Sequence, residues 1–246
     1  MPGQKFSLTR PSGTLSRCER EDRLLRPQRV PRSAVMPAPT ISIAALAAQL
    51  IGRVASSRLL VGLAGAPGSG KSTVAERLVA KLNSDARGRA AVLPMDGYHY
   101  DDTLLNLLGR RARKGAPDTF DVGGFAHMLK RLRDNSETEI AVPVFDRDIE
   151  IARAGARLIP QSVGIIVVEG NYLLLKSAPW SQLKPLFDTT VFLDVSEETL
   201  RRRLTKRWQH YQLPVDEIRR KVEENDLPNG RFVIAESVAA DCQIAN

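Results

Sequence analysis

The chain has 246 residues, of which 43% are hydrophobic, and this length and composition fit a single α/β domain with a core of ordinary size. The net charge of +8 is concentrated in residues 1–36, which hold eight basic and three acidic side chains, whereas the remainder holds 28 basic and 25 acidic ones. We therefore expect no nucleic-acid partner, and no membrane partner, because no apolar run approaches the ~18 residues that a membrane span needs.

The first segment, residues 1–38, is rich in proline, arginine and serine and has no sustained apolar period. This composition predicts a disordered tail or extension. Two other interpretations stay open: a transit peptide, although "EREDR" is acidic for one, and a true start at Met36. The two cysteines, Cys18 and Cys242, belong to no C-x-x-C or Cys/His cluster. A structural zinc site is therefore not expected, and a reducing, cytoplasmic location is.

From Thr40 onward, helical and strand patterns alternate, and Thr40 is predicted to cap the first helix. The predicted helices are "TISIAALAAQLIGRV", "STVAERLVAKLN", "VGGFAHMLKRLRD", "SEETLRRRLTKRWQHY", capped by Ser196, and "PVDEIRRKVEEND", opened by Pro214. The predicted strands are "RLLVGLAG", "AAVLPM", "EIAVPVF", "VGIIVVEG" and "TTVFLDV". Short apolar strands that alternate with helices predict a doubly wound, mostly parallel sheet with helices on both faces. We assign residues 39–246 to this one domain.

A glycine-rich stretch, "GAPGSGKST" at residues 65–73, lies between the first predicted strand and the next helix. It satisfies G-x-x-x-x-G-K-[ST], in which glycines turn consecutive backbone N–H groups toward a phosphate at a helix N-terminus. We expect Lys71 to reach the β- and γ-phosphates and Ser72 to bind Mg²⁺. The predicted nucleotide-binding residues are Gly65, Ala66, Pro67, Gly68, Ser69, Gly70, Lys71, Ser72 and Thr73.

Two acidic residues follow buried strands at the edge where parallel sheets place ligands. Asp96 in "PMDGYHY" is either the base that accepts the proton of an attacking hydroxyl or an ordinary turn aspartate, and position alone does not separate the two. Glu169 in "VVEGNY" is expected to help Ser72 to hold Mg²⁺. The alternative for Glu169 is an exposed acid at a strand end.

The helix "SEETLRRRLTKRWQHY" carries a dense basic run. Arg203 and Arg207 are four residues apart and so share one face, where guanidinium groups suit the charge on a transferring phosphoryl group. We predict that they belong to a small lid. The alternative is a solvated basic face.

Taken together, "GAPGSGKST", "MDGYHY", "RKGAPDTFDVGGF", "PVFDRDIEIAR", "VVEGNYLLL" and "NDLPNGRFV" resemble the P-loop kinases of the uridine kinase, phosphoribulokinase and bacterial pantothenate kinase group. Within this group the chain looks most similar to bacterial kinases described as fructose-transport or nucleoside/nucleotide kinases. The resemblance covers roughly residues 42–245 and does not extend to the tail. It implies an ATP- and Mg²⁺-dependent transfer of a phosphoryl group to a small-molecule acceptor.

The resemblance also implies roles for single residues. It makes Asp96 the catalytic base and places Arg203 and Arg207 in the lid. Further residues fall where such kinases contact a ligand: Asp146, Arg153, Tyr98 and His99 at the acceptor, and Asn229 at the adenine. Uridine kinases usually have tyrosine where this chain has Phe145, so a hydrogen bond to a nucleobase is not expected at that position.

The acceptor and two other function classes stay open. A sugar, a nucleoside and a pantothenate-like alcohol all present a hydroxyl group, and the named residues do not separate them. A nucleotide-binding switch or slow ATPase of the same fold is the alternative function, but the chain has neither the N-K-x-D stretch of GTPases nor the L-S-G-G-Q of ABC-type ATPases. An inactive relative is disfavoured by the intact Lys71, Ser72, Asp96 and Glu169. A homodimer is one oligomeric state that the resemblance implies.

Overall fold

The computed structural model describes residues 38–54, 57–86 and 88–246. The predictions for the N-terminal tail, including Cys18, therefore fall almost entirely outside the described residues. Within the described part of the chain, no helix is both long and apolar enough to cross a bilayer.

Seven strands and seven α-helices make up the described chain. The strands are β1 (Leu59–Gly65), β2 (Ala90–Pro94), β3 (Glu139–Asp146), β4 (Ile151–Pro160), β5 (Ile165–Gly170), β6 (Thr189–Asp194) and β7 (Cys242–Ala245). The helices are α1 (Ile43–Arg53), α2 (Lys71–Leu82), α3 (Asp102–Leu107), α4 (Val122–Asp134), α5 (Glu197–His210), α6 (Val215–Arg220) and α7 (Leu227–Glu236). A π-helical segment, Lys221–Asp226, joins α6 to α7.

Five strands form one sheet in the order β2-β5-β1-β6-β7, and every neighbouring pair in it is parallel. The central strand β1 alternates its side chains between two cores. Leu60 packs with α4 residues such as Phe125 on one face, whereas Leu63 packs with Leu50 of α1 and Leu78 of α2 on the other. Burying each such leucine stabilises the fold by about 1.5–3 kcal/mol. The predicted parallel sheet with helices on both faces is confirmed.

The start of α1 differs from the prediction. Ser42 is the N-cap, and its Oγ accepts a hydrogen bond from the backbone N of Ala45 at 3.1 Å. Thr40 instead forms a parallel bridge with Gln243, next to a bond from the Ile41 N–H to the Gln243 carbonyl at 2.8 Å. The prediction that Thr40 caps α1 was wrong because the chain before the helix extends the edge of the sheet beside β7.

Two further elements were not predicted as they stand. β3 and β4 form an antiparallel hairpin that is separate from the main sheet, and β4 is mostly exposed and so lacks the apolar signal of a buried strand. The helix predicted to end at Asp226 continues through the π-helical segment to Glu236, with Pro228 in the first turn of α7, where proline is tolerated. The predicted cap of α5 is confirmed, since Ser196 accepts from the Thr199 backbone.

Candidate active site

The carboxyl ends of three neighbouring strands bring the site together. In the sheet register, Glu169 near the end of β5 lies opposite both Leu63 of β1 and Pro94 of β2. The phosphate loop follows β1, and a 3₁₀ turn that contains Asp96 follows β2. The predicted loop, base and metal ligand are therefore neighbours at one edge of the sheet.

The phosphate loop adopts a backbone that only glycine accepts easily. Gly68 and Gly70 have φ angles of 77° and 89°, and a Cβ at Gly68 would lie 2.8 Å from Leu204 Cγ. Gly70 is the N-cap of α2 and supplies no side-chain cap, so the first N–H groups of this helix are left for a ligand. The buried Ser69 Oγ has no partner among the described residues. The loop and the helix start offer an anion site of the kind that holds phosphates.

Lys71 lies inside this anion site. Its side chain is buried, and its Nζ donates to the Ala66 carbonyl at 2.9 Å. Burial lowers the pKa of Lys71 to about 8, while the charges of Glu169 and Asp96 act in the opposite direction. A polyphosphate beside Lys71 would supply the counter-charge that this buried ammonium needs.

Ser72 and Glu169 are in contact next to the loop. The Ser72 Oγ donates to Glu169 Oε1 at 3.2 Å. Burial, followed by the negative charge of Asp96, raises the pKa of Glu169 to about 7, which marks a carboxylate short of positive charge. One hydroxyl and one carboxylate beside a triphosphate fit Mg²⁺, which takes few protein ligands and keeps water and phosphate oxygens. In the described ranges, no three His, Cys, Asp or Glu side chains cluster as an all-protein metal site.

Asp96 faces a partner that sequence reasoning missed. Arg147 Nη2 donates to Asp96 Oδ2 at 2.7 Å, and it reaches the carboxylate from the turn between β3 and β4. His99 Nδ1 lies 2.7 Å from the backbone carbonyl of Asp96. The separate hairpin thus covers the end of β2. The sequence analysis predicted the neighbouring Asp146, rather than Arg147, as an acceptor residue in this stretch. The position of Arg147 directly after Asp146 was the available signal.

The predicted acceptor residues divide into two groups. His99 lines the cavity, its ring centroid lies 4.0 Å from that of Phe120 and 4.7 Å from that of Phe145, and burial lowers its pKa. Tyr98 does not line the cavity: its ring packs on Phe125 at 4.6 Å, and its buried hydroxyl has no partner in the described structure. Of the two residues, only His99 is placed where it can touch an acceptor.

Asp146 and Arg153 are brought together, but outside the cavity. They form an ion pair at 3.3 Å across the hairpin, and the Arg153 side chain is 56% exposed. Successive side chains of a strand point to opposite faces, and it is the preceding Phe145 that lines the cavity. The residues on either side of Asp146, rather than Asp146 itself, face the site.

The predicted lid arginines both line the cavity. Arg203 Nη1 donates to the Ser69 carbonyl of the phosphate loop at 3.1 Å, and the Arg207 guanidinium lies 5.1 Å from the centre of the Trp208 ring. Asn229 lines the same cavity and donates to Asn225 Oδ1 at 3.1 Å. The π-helical segment before α7 therefore contributes to the site, as such segments often do.

One cavity of about 990 Å³ connects these groups. Its size lies at the upper end of the range of typical ligand pockets, about 300–1,000 Å³. Several residues that line it were not predicted individually: Arg111, Arg147, Asn171, Tyr211. Arg113 and Lys114 line it as well, and they open the stretch "RKGAPDTFDVGGF", one of those on which the family resemblance depends.

Comparisons with known proteins agree with this geometry. The family model described as "AAA domain" matches residues 61–227. A "putative uridine kinase" of Schizosaccharomyces pombe is 34% identical over 192 residues, which cover 75% of this chain and 81% of the relative. The chain belongs to the P-loop kinases of the uridine kinase group.

Solved structures show the same relationship. A "putative fructose transport system kinase" from Silicibacter sp. TM1040 is 37% identical, with a TM-score of 0.77, over 82% of this chain and 98% of that one. YFH7 from Saccharomyces cerevisiae, at 21% identity and a TM-score of 0.71 over 84% of this chain and 99% of that one, shares the fold. The present chain is therefore an ATP-using phosphotransferase that acts on a small molecule.

Proposed function

We propose that this kinase transfers the γ-phosphate of ATP to a hydroxyl group of a small metabolite, with Asp96 as the base. The observation that supports this most strongly is that the phosphate loop and the Asp96 carboxylate line one cavity. In the proposed step the acceptor oxygen bonds to the γ-phosphorus, and the bond from that phosphorus to the bridging oxygen of ADP breaks. The hydroxyl proton passes to the Asp96 carboxylate.

Three cations would stabilise the negative charge of the phosphoryl group during transfer. Lys71 lies inside the loop, and Arg203 and Arg207 face it from α5. Arg203 donates one of its N–H groups to the Ser69 carbonyl. Because a guanidinium has five such donors, others stay available for phosphate oxygens. Preorganised donors of this kind stabilise a loose phosphoryl transition state without rearrangement during the reaction.

Ser72 and Glu169 would hold Mg²⁺. The bound ion would supply positive charge to the phosphate groups. The present contact between Ser72 Oγ and Glu169 Oε1 keeps two oxygen ligands side by side, and Asn171 lines the cavity close by in the chain. Asn229 would meet the nucleotide from the α7 side.

The names of the relatives suggest acceptor classes. The relatives are named as a putative uridine kinase and a putative fructose transport system kinase, and a nucleoside, a sugar and a pantothenate-like alcohol all offer a hydroxyl group. Neither name fixes the acceptor of this chain, and the side chains that face it here include Phe145 and Arg147. The homodimer and the cytoplasmic location stay predictions.

An acceptor screen tests the proposal. ADP and inorganic phosphate are measured together for the purified chain with Mg²⁺ and ATP, over a panel of sugars, nucleosides and vitamin precursors. The proposal expects ADP release that depends on one class of acceptor and exceeds phosphate release. Slow and equal release of ADP and phosphate, whatever compound is added, would instead identify a switch or slow ATPase.

A further inference from the structure

The part of the cavity next to Asp96 is lined by cationic side chains that the proposed chemistry does not use. We define the acceptor wall as His99, Phe145, Arg147 and the residues 111–114 that line the cavity. Its members lie close together: Lys114 Nζ lies 5.5 Å and the Arg147 guanidinium 5.9 Å from the centre of the Phe145 ring, and the His99 ring packs against the same ring at a tilt of 41°. Two cations and two rings thus meet beside the proposed base.

The acceptor wall has more positive than negative charge. Four cations line it, Arg111, Arg113, Lys114 and Arg147, against the two carboxylates of Asp96 and Glu150. Next to the wall, each of two carboxylates forms ion pairs with two cations. Asp102 binds Arg111 at 2.8 Å and Lys114 at 2.6 Å, and Asp118 binds Arg113 at 2.5 Å and Arg110 at 3.5 Å.

Hydrogen bonds from two buried aromatic side chains fix the segment that carries these cations. The buried Tyr172 hydroxyl donates to the Gly115 carbonyl at 2.6 Å, and the buried Trp180 Nε1 donates to the Pro117 carbonyl at 3.1 Å. The Lys114 side chain is only 8% exposed. A solvated surface loop would have neither feature, so Lys114 is held at the wall rather than free in water.

The contact between Arg147 and Asp96 adds an independent argument. Arg147 donates to Asp96 Oδ2, and the other N–H groups of its guanidinium are available to a second anion. An anionic group on the acceptor would accept from these N–H groups, and this contact would place the acceptor beside the Asp96 carboxylate. A neutral acceptor lacks the charge that strengthens such hydrogen bonds.

We propose that the acceptor carries an anionic group, a carboxylate or a phosphate, in addition to the hydroxyl group that is phosphorylated. This inference rests on the proposed function and narrows it. The anion docks on Lys114 and Arg147, and its hydroxyl group then lies next to Asp96. Charge-assisted hydrogen bonds to two cations make the anionic acceptor better than its neutral counterpart by about 10- to 100-fold in kcat/KM.

The test compares matched acceptors in the full chain with Mg²⁺ and ATP. Three neutral compounds (fructose, uridine and glycerol) are each paired with an anionic counterpart: a fructose monophosphate, uridine monophosphate and glycerate. The proposal expects acceptor-dependent ADP release to favour the anionic member of at least one pair by tenfold or more. The glycerate pair reports a carboxylate, and the other two pairs report a phosphate.

Two variants test whether Lys114 and Arg147 bind the anionic group of the acceptor. Lys114→Gln and Arg147→Gln should each raise the KM of the preferred anionic acceptor about tenfold or more, while the KM for ATP stays within about twofold. Arg131→Gln is the matched control, because Arg131 forms a bidentate ion pair with Glu137 outside the cavity. It should keep the preference of the wild type.

The outcomes separate this inference from the proposed function. If neutral acceptors support ADP release as well as or better than their anionic partners, the anion site is overturned while the kinase assignment stands. If the variants raise only the KM for ATP, the wall binds the nucleotide and the anion site is again overturned. If no compound of either kind promotes ADP release above the rate of hydrolysis, the proposed function fails as well.

Discussion

The two ends of the active-site cavity are built in different ways. At the nucleotide end, one continuous stretch of chain supplies the loop, the buried lysine and the first turn of α2, and side chains of α5 and α7 line the same cavity. At the acceptor end, side chains arrive from three separate places, the turn after β2, the segment before α4 and the β3–β4 hairpin, and ion pairs hold them. Backbone N–H groups recognise phosphate groups whatever the rest of the ligand is, whereas the charged side chains at the other end can select the acceptor.

Replacing Asp96 with asparagine should have the largest effect, because Asp96 stands where the two ends meet. Loss of the base should lower kcat by about 10²- to 10⁴-fold, while the Kd for ATP, which the other end determines, changes less than about threefold. Single-turnover transfer and ATP titration measure the two quantities. Asp101→Asn is the matched control, since Asp101 only caps α3 and asparagine caps equally well. Unchanged turnover in Asp96→Asn would remove Asp96 from the base role.

Lys71→Ala probes the nucleotide end alone. The loss of one preorganised cation should lower transfer by about 10²- to 10³-fold and weaken ATP binding, with no change in the relative preference for different acceptors. Steady-state kinetics with two acceptors measure both effects. Lys81→Ala, at the exposed end of the same helix, should behave as wild type. A Lys71→Ala variant that changes acceptor preference would show that the two ends are not separable.

Glu169→Gln should change the pH dependence of stability. Burial and Asp96 raise the pKa of Glu169 from 4.5 to about 7 in the folded protein. The free energy of unfolding therefore falls as the pH rises from about 4.5 through 7, because the folded state resists loss of this proton. Glutamine has no proton to lose, so the variant should melt several degrees above wild type at pH 8 and at the same temperature near pH 4.

Melting curves of Glu169→Gln with and without Mg²⁺ and ATP complete this test. Bound Mg²⁺ stabilises the ionised carboxylate of the wild type only, so the ligands should cancel or reverse the advantage of the variant at pH 8. An equal melting difference at both pH values would contradict the account of Glu169 as a buried carboxylate short of positive charge.

The smallest effect is expected from Tyr98→Phe. The Tyr98 hydroxyl is buried without a partner among the described residues, so its removal should leave the KM for the acceptor within about twofold and the melting temperature unchanged or slightly raised. Acceptor titration and calorimetry measure these values. A tenfold increase in the acceptor KM would support the sequence-based prediction that Tyr98 touches the acceptor.

The same contrast explains what the sequence could predict. The loop at residues 65–73, the strand-end acids and the lid arginines have local signals, and the structure brings Lys71, Ser72, Asp96, Glu169, Arg203 and Arg207 to one cavity. The parallel sheet followed from buried apolar strands. β4 gave no such signal, because an exposed hairpin strand lacks an apolar pattern. Lys114 and Arg147 lie in stretches that carry the family resemblance, but their individual places depend on contacts between residues far apart in the chain, such as that of Arg147 with Asp96.

The fate of the γ-phosphate tests the central claim most directly. ATP labelled in its γ-phosphate is incubated with the wild type and with Asp96→Asn in the presence of the best acceptor from the screen. We expect the label to appear on the acceptor oxygen with wild type and to stay in ATP with the variant. Label that collects in inorganic phosphate at the same rate in both proteins would contradict the account.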